Sequence, residues 1–228
     1  MVKVTIIVSA HKERGFLYEA LDSAMGQPFN DYEIILSSDG NAELETVAKK
    51  YDIKFCLSPK KNHSAALNNA VKMAKGEWIK ECHDDDFLTI NCLQDLWNCR
   101  EDADIVYANA VNFRDGEHSG RIYKPPPIVT LQTFLPVIHN PVHAATIFFK
   151  RQMFLDVGGF DPECYHAEEY EFYLNIITKG YRFKYCDSTV AWYRLHPGQD
   201  TYLLNAKRAQ MQEYINNKFK GYAGNILH

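Results

Sequence analysis

The first hundred residues alternate short apolar runs with segments of helical period. Val4 to Ser9 is a continuous, largely β-branched run, the pattern of a strand buried on both faces. Gly15 to Met25 then carries Leu17, Leu21 and Ala24 at helical spacing, and Tyr32 to Ser37 forms a second strand that ends in Ser37-Ser38-Asp39-Gly40-Asn41. Glu43 to Tyr51 reads as a helix and Lys54 to Leu57 as a short strand. Ser64 is placed to cap a helix carrying Leu67, Ala70, Val71 and Ala74. Trp78 to Cys82 is a fourth strand, and it leads directly into Asp84-Asp85-Asp86. This alternation predicts a mostly parallel sheet with helices on both faces, a Rossmann-like α/β arrangement.

After a further strand at Asp104 to Asn112 the rhythm changes. Asp115-Gly116 marks a tight turn, and Pro125-Pro126-Pro127 stops regular structure. Between Thr130 and Arg194 the pattern predicts a short helix, a strand at Thr146 to Phe149, a helix ending at Gly158-Gly159, a helix at Glu168 to Thr178 with Gly180 as its C-cap, and two strands. No linker divides this half from the first, so residues 1–201 read as one domain: a first half over 1–112 and a smaller subdomain over 113–201 built onto the same sheet. Residues 202–228 form a helical tail, in which Leu204, Met211, Ile215 and Phe219 recur near helical spacing while Lys207, Arg208 and Lys218 lie on other faces. Packing on its own domain is the ordinary use of such a helix; a lid, a dimer contact and a peripheral membrane contact are the alternatives.

Composition narrows the function classes. A net charge of −4 with no long basic run argues against nucleic acid as a partner. The opening Met-Val-Lys-Val-Thr-Ile-Ile-Val is too short and β-branched for a signal peptide, and no apolar run approaches the roughly 18 residues of a membrane span, so the expected location is cytoplasmic. Cys56, Cys82, Cys92, Cys99, Cys164 and Cys186 form no Cys-x-x-Cys pair and are read as structural thiols.

The candidate chemistry lies at strand ends. Three adjacent carboxylates repel one another unless a cation accompanies them, and a hard divalent ion is the simplest one for Asp84 to Asp86. In a parallel sheet Asp39 comes to the same edge, so one carboxylate can meet a base or ribose while others hold an ion on a diphosphate. In Glu168-Glu169-Tyr170-Glu171, helical spacing groups Glu169 with Phe172, Tyr173 and Ile176. This makes Glu169 the inward carboxylate and a candidate general base, with Glu168 and Glu171 in solvent. Arg194 and His196 share a strand face, one suited to phosphate and the other to a metal. Ile138 to Ala144, with His139 and His143, borders the region where an acceptor would sit.

From Val4 to about Thr201 the chain resembles a family 2 glycosyltransferase of the GT-A fold. The resemblance rests on Thr5-Ile6-Ile7-Val8-Ser9, Ser38-Asp39-Gly40, Ser64 to Asn69, Lys75-Gly76-Glu77-Trp78-Ile79 and the acidic cluster, then on Val157-Gly158-Gly159-Phe160-Asp161, Glu168-Glu169 and Tyr193-Arg194-Leu195-His196. It implies an inverting, metal-dependent transfer of a sugar from a nucleoside diphosphate sugar (UDP-, GDP- or dTDP-linked) to a hydroxyl of a glycan or other acceptor, as in polysaccharide biosynthesis, with Mn2+ or Mg2+. By that resemblance Ser9, His11, Glu13, Asp39, Asn68, Asp84 and Arg194 contact the donor. Asp85, Asp86 and His196 hold the metal, His143 and Glu168 border the acceptor, and Glu169 is the base. The chain departs from the family pattern in three places. His83 stands where the D-x-D motif usually begins, Glu169 replaces the commoner Asp, and Ser9-Ala10-His11-Lys12 replaces the usual Pro and Asn after the first strand. A nucleotide-sugar-binding protein without turnover and a sugar nucleotidyltransferase are the competing readings. The second lacks a Gly-rich basic phosphate loop, and a nicotinamide oxidoreductase would need a G-x-G-x-x-G that does not follow the first strand.

Overall fold

The β-branched run at the amino end becomes the central strand β1 (Val4–Ala10), every residue of it buried. The computed structural model describes residues 2–59, 61–116, 120–134, 140–164, 167–199 and 205–223. After β1 come α1 (Gly15–Met25), β2 (Tyr32–Asp39), α2 (Leu44–Lys50), β3 (Lys54–Ser58), α3 (His63–Met73) and β4 (Trp78–His83). Next are β5 (Phe87–Leu88), α4 (Cys92–Cys99), β6 (Ile105–Phe113), β7 (Arg121–Tyr123), α5 (Leu131–Phe134), a 3-10 turn at Ala144–Thr146, β8 (Phe148–Lys150) and α6 (Arg151–Val157). The chain continues through α7 (Glu168–Thr178), β9 (Phe183–Arg194) and α8 (Asn205–Ala223).

The strands form one sheet in the order β3-β2-β1-β4-β8-β6-β9-β5, with β7 paired to β6. The long ladders, β1 with β2 and β4, β2 with β3, and β6 with β9, are parallel. Short antiparallel pairings of β8 with β4 and β6 join the two halves. Side-chain alternation divides the core. Val4, Ile6, Val8, Leu36, Trp78 and Cys82 meet α1, α2 and α4 on one face, while Ile7, Ile35, Ile79, Ile105 and Phe149 meet α3, α6 and α7 on the other. On that second face Phe149, Phe154, Phe160 and Phe172 pack with ring centroids 5.0–6.0 Å apart.

Three expectations change. Asn62, not Ser64, caps α3: its Oδ1 accepts from the Ala65 amide at 2.9 Å, and Ser64 is buried inside the first turn. The two strands expected before Arg194 are one strand, β9, whose pairing with β6 shifts register on either side of Asn109, so an irregularity rather than a break interrupts the alternation. The cysteines are not all thiols. Cys99 at the end of α4 is bonded to Cys186 in β9, with Cα atoms 5.9 Å apart, a non-local pairing that no local spacing signals. The expected tail helix is α8. Ile215 and Phe219 are buried, Tyr170 of α7 donates to Asn216 Oδ1 at 2.6 Å, and Lys218 reaches Glu171 at 3.0 Å, so this face packs on the domain itself. Tyr202 to Leu204 and the side chains of Lys207 and Arg208 lie outside the described residues. Among the described residues no helix is long and apolar enough to cross a membrane.

Candidate active site

Parallel registration aligns three strand ends. Ser9 pairs with Ser37 on one side and with His83 on the other, and Asp39 ends β2 two positions further on. There His11 Nδ1 lies 3.0 Å from Asp39 Oδ1, and Asn41 Nδ2 donates to the His11 carbonyl at 3.3 Å. Glu13 is exposed and accepts a hydrogen bond from the Tyr18 hydroxyl, while Ser9 is buried and its Oγ has no hydrogen-bond partner.

Asp84 to Asp86 form the turn between β4 and β5, and the end of β9 clamps it. The Arg194 amide donates to Asp86 Oδ1 at 3.0 Å, Arg194 Nε donates to the Asp85 carbonyl at 2.9 Å, and His196 Nε2 meets Asp85 Oδ2 at 3.1 Å. The Arg194 guanidinium is buried, paired with Glu19 at 2.7 Å and with Asp115, and stacked over Phe16 and Phe113 at 4.2 and 4.8 Å. Its two terminal nitrogens are thus taken up by protein carboxylates. Burial, then the neighbouring Asp85 charge, raises the Asp84 carboxyl to about 6 and the Asp86 carboxyl to about 8. Asp86 Oδ2 is buried with no hydrogen-bond partner.

Beside this turn, Glu81 is only 1% exposed and both His83 Nε2 (2.9 Å) and His63 Nε2 (3.4 Å) converge on its Oε1. His63 opens α3 and Glu168 opens α7, so two helix N-termini meet here. Burial works against the His63 imidazolium, but the Glu81 hydrogen bond and charge outweigh it and raise His63 to about 9. His83 rises well above its ordinary value for the same reason, and Glu81 falls.

The glutamates of α7 differ from expectation. Glu168 and Glu171 are buried, at 5% and 2% exposure, whereas Glu169 is half-buried. Helical period identifies the faces of α7 but not what covers them, and α8 covers the side bearing Glu171 while β4 and α3 cover Glu168. Burial, then the Glu169 charge, raises Glu168 to about 7. Glu168 and Glu169 both bring a carboxylate oxygen within 4.8 Å of a His63 nitrogen, so the acidic pair does reach the strand-end site.

Other predicted residues have different surroundings. Asn68 donates to the Phe160 carbonyl at 2.8 Å and accepts from its amide at 2.9 Å, a clamp between α3 and the Gly158-Gly159 turn. His143 caps the 3-10 turn and packs against Tyr193 with ring centroids 4.1 Å apart. Burial, then the charges of His83 and Lys80, lowers it to about 3 and keeps it neutral. His139 lies outside the described residues. Sequence reasoning missed His63, Glu81 and Lys80; the Lys80 ammonium is fully buried and donates to the Ala145 carbonyl at 2.8 Å. The signal was a Lys-Glu pair inside a strand flanked by apolar residues, where a charge persists only with a partner.

The family model of glycosyl transferase family 2 matches residues 5–158. An uncharacterized glycosyltransferase of Rickettsia typhi is 26% identical over 222 residues, 92% of this chain and 69% of that protein. WfaP of Escherichia coli, a UDP-Glc:alpha-D-GlcNAc-diphosphoundecaprenol beta-1,3-glucosyltransferase, is 24% identical over 87% of this chain and 79% of its own length. Among solved structures, S. aureus TarS in complex with UDP-GlcNAc superposes with a TM-score of 0.70 at 16% identity, covering 92% of this chain and 66% of that one. The mannosyltransferase PcManGT of Pyrobaculum calidifontis, in complex with GDP-Man and Mn2+, gives 0.65 at 18% identity, covering 90% and 60%. These likenesses show the GT-A fold, and the chain spans less than two thirds of several of the structures it matches, 60% of one TarS structure and 43% of another. With the family match running through more than half of its length, the chain belongs to glycosyl transferase family 2.

Proposed function

We propose that this protein transfers a sugar from a nucleoside diphosphate sugar to a glycan hydroxyl in cytoplasmic polysaccharide assembly, with inversion at the anomeric carbon. The observation that carries this reading is the meeting of Asp85 with His196 beside a partnerless, buried Asp86 oxygen, on the sheet edge that also holds the His11–Asp39 pair and Glu168-Glu169. Those residues suit a divalent ion: Asp85, Asp86 and His196 would hold it, and a manganese or magnesium ion bound there supplies countercharge to a leaving diphosphate. On this reading Asp39 and His11 receive the base and Asp84 meets the ribose; the contact between His11 Nδ1 and Asp39 Oδ1 supports the first of these. Glu169, the one glutamate of the trio with solvent access, takes the proton of the acceptor hydroxyl as its oxygen bonds to the anomeric carbon. The bond from that carbon to the diphosphate oxygen breaks, and its electron pair leaves with the diphosphate. The names of the relatives favour UDP, with GDP the second choice.

Calorimetric titration with UDP, GDP and dTDP, each with manganese and with chelator, tests this. One nucleotide should bind with manganese and lose affinity with chelator or in Asp85→Ala. Glu169→Gln should keep that affinity and lose transfer by about 10²-fold or more. Absence of nucleotide binding under every condition would sink the reading. Binding without any transfer in the wild type would leave a nucleotide-sugar-binding protein.

A further inference from the structure

The Asp85–His196 site does not use the adjoining cluster around Glu81. There His63 Nε2 and His83 Nε2 approach one oxygen of Glu81 at 3.4 and 2.9 Å, and the ligating atoms of all three residues lie within 4.8 Å of one another. The two imidazole rings stand edge to face, 87° apart. Glu81 is 1% exposed and its second oxygen, Oε2, has no hydrogen-bond partner; Glu168, 5% exposed, also has a partnerless Oε2 beside the same His63. An ordinary buried ion pair distributes its donors over both carboxylate oxygens, because an unmade hydrogen bond costs about 1–3 kcal/mol. Here two donors crowd one oxygen while two buried carboxylate oxygens go without.

We propose that His63, Glu81 and His83 form a second metal site, for a borderline divalent ion of the zinc class, with Glu168 as the adjoining carboxylate. Around a four-coordinate zinc, with bonds of about 2.0–2.1 Å, neighbouring ligand atoms stand roughly 3.4 Å apart, a spacing the trio approaches with little movement. Ligand chemistry separates this site from the other one. Two imidazoles and a carboxylate suit borderline divalent ions such as zinc, iron or nickel, whereas the oxygen-rich set of Asp85 and Asp86 suits manganese or magnesium. His83 also lies within 4.8 Å of Asp85 and Asp86, so it stands between the two sites, at the position where the family's motif usually has an aspartate.

The test is metal content and spectrum, with no assay of transfer. Protein stripped with chelator is loaded with zinc, exchanged into manganese buffer and analysed for both metals; a parallel sample is titrated with cobalt. The wild type and Asp85→Asn should each retain one zinc, and cobalt should give the strong visible bands of four-coordination. His63→Ala should lose zinc affinity by more than the about 10–100-fold that an outer-shell partner is worth. Thermal melts check folding, and His63→Asn, which keeps a donor for Glu81, serves if the alanine variant does not fold. The proposal is overturned if the wild type retains no zinc, or if zinc is lost in Asp85→Asn and kept in folded His63 variants.

Discussion

Arg194 illustrates how one residue can anchor a turn from a distant strand. Its amide and Nε hold Asp86 and the Asp85 carbonyl, and its guanidinium is buried between Glu19 and Asp115. Arg194→Met should therefore cost roughly 1–3 kcal/mol in urea unfolding and also weaken manganese binding, because the Asp85 carbonyl loses its Nε donor. A variant with normal stability and weaker nucleotide binding alone would instead make Arg194 a phosphate contact, the role expected from sequence. At this scale residue identity announced the carboxylates of the acidic turn, Asp39 and His196. It did not announce that Arg194 and Asn68 would be occupied by the protein itself, since the partners of both lie far away in sequence.

Elements were the most legible level. A continuous β-branched run announced β1, short apolar runs bounded by turns announced β2 and β4, and helical period announced α1, α6 and α7, because these signals are local. What covers an element is not local: the inward face of α7 was misassigned because α8 and α3 bury Glu171 and Glu168 from two further directions. The Gly158-Gly159 stop shows the same dependence. Gly159 has φ +76°, and a Cβ there would lie 2.4 Å from Asn68 Oδ1 and 2.9 Å from Phe154 Cε1. Gly159→Ala should break the Asn68 clamp and destabilise the protein by about 2–4 kcal/mol, read from the urea midpoint. A loss below about 0.5 kcal/mol would mean that the turn relaxes without needing glycine.

Over the whole molecule, buried charge sets a pH dependence. In chelator, Glu168 at about 7 and Asp86 at about 8 both titrate above their ordinary values of 4.5 and 3.8. Their stabilisation is complete below those ordinary values and is lost as pH rises through the folded ones. His63, raised to about 9, loses its contribution through the same upper range, from 6.5 onward. His143, lowered to about 3, acts in the opposite direction but only below its ordinary 6.5. The melting temperature of the metal-free protein should therefore fall between pH 6.5 and 9, and Asp86→Asn should flatten the fall. An unchanged slope in that variant would exclude Asp86 as a source. The acidic turn that produces this behaviour is fixed at both ends, by β4 in the central sheet and by β5 against β9. It cannot splay to separate its charges. On the proposed reading, a bare diphosphate arriving at that turn above pH 8, where Asp86 is ionised, meets anions of its own sign, while one already accompanied by its cation does not. If that reading holds, the fixed turn favours an order of arrival in which the ion precedes the sugar nucleotide or travels with it.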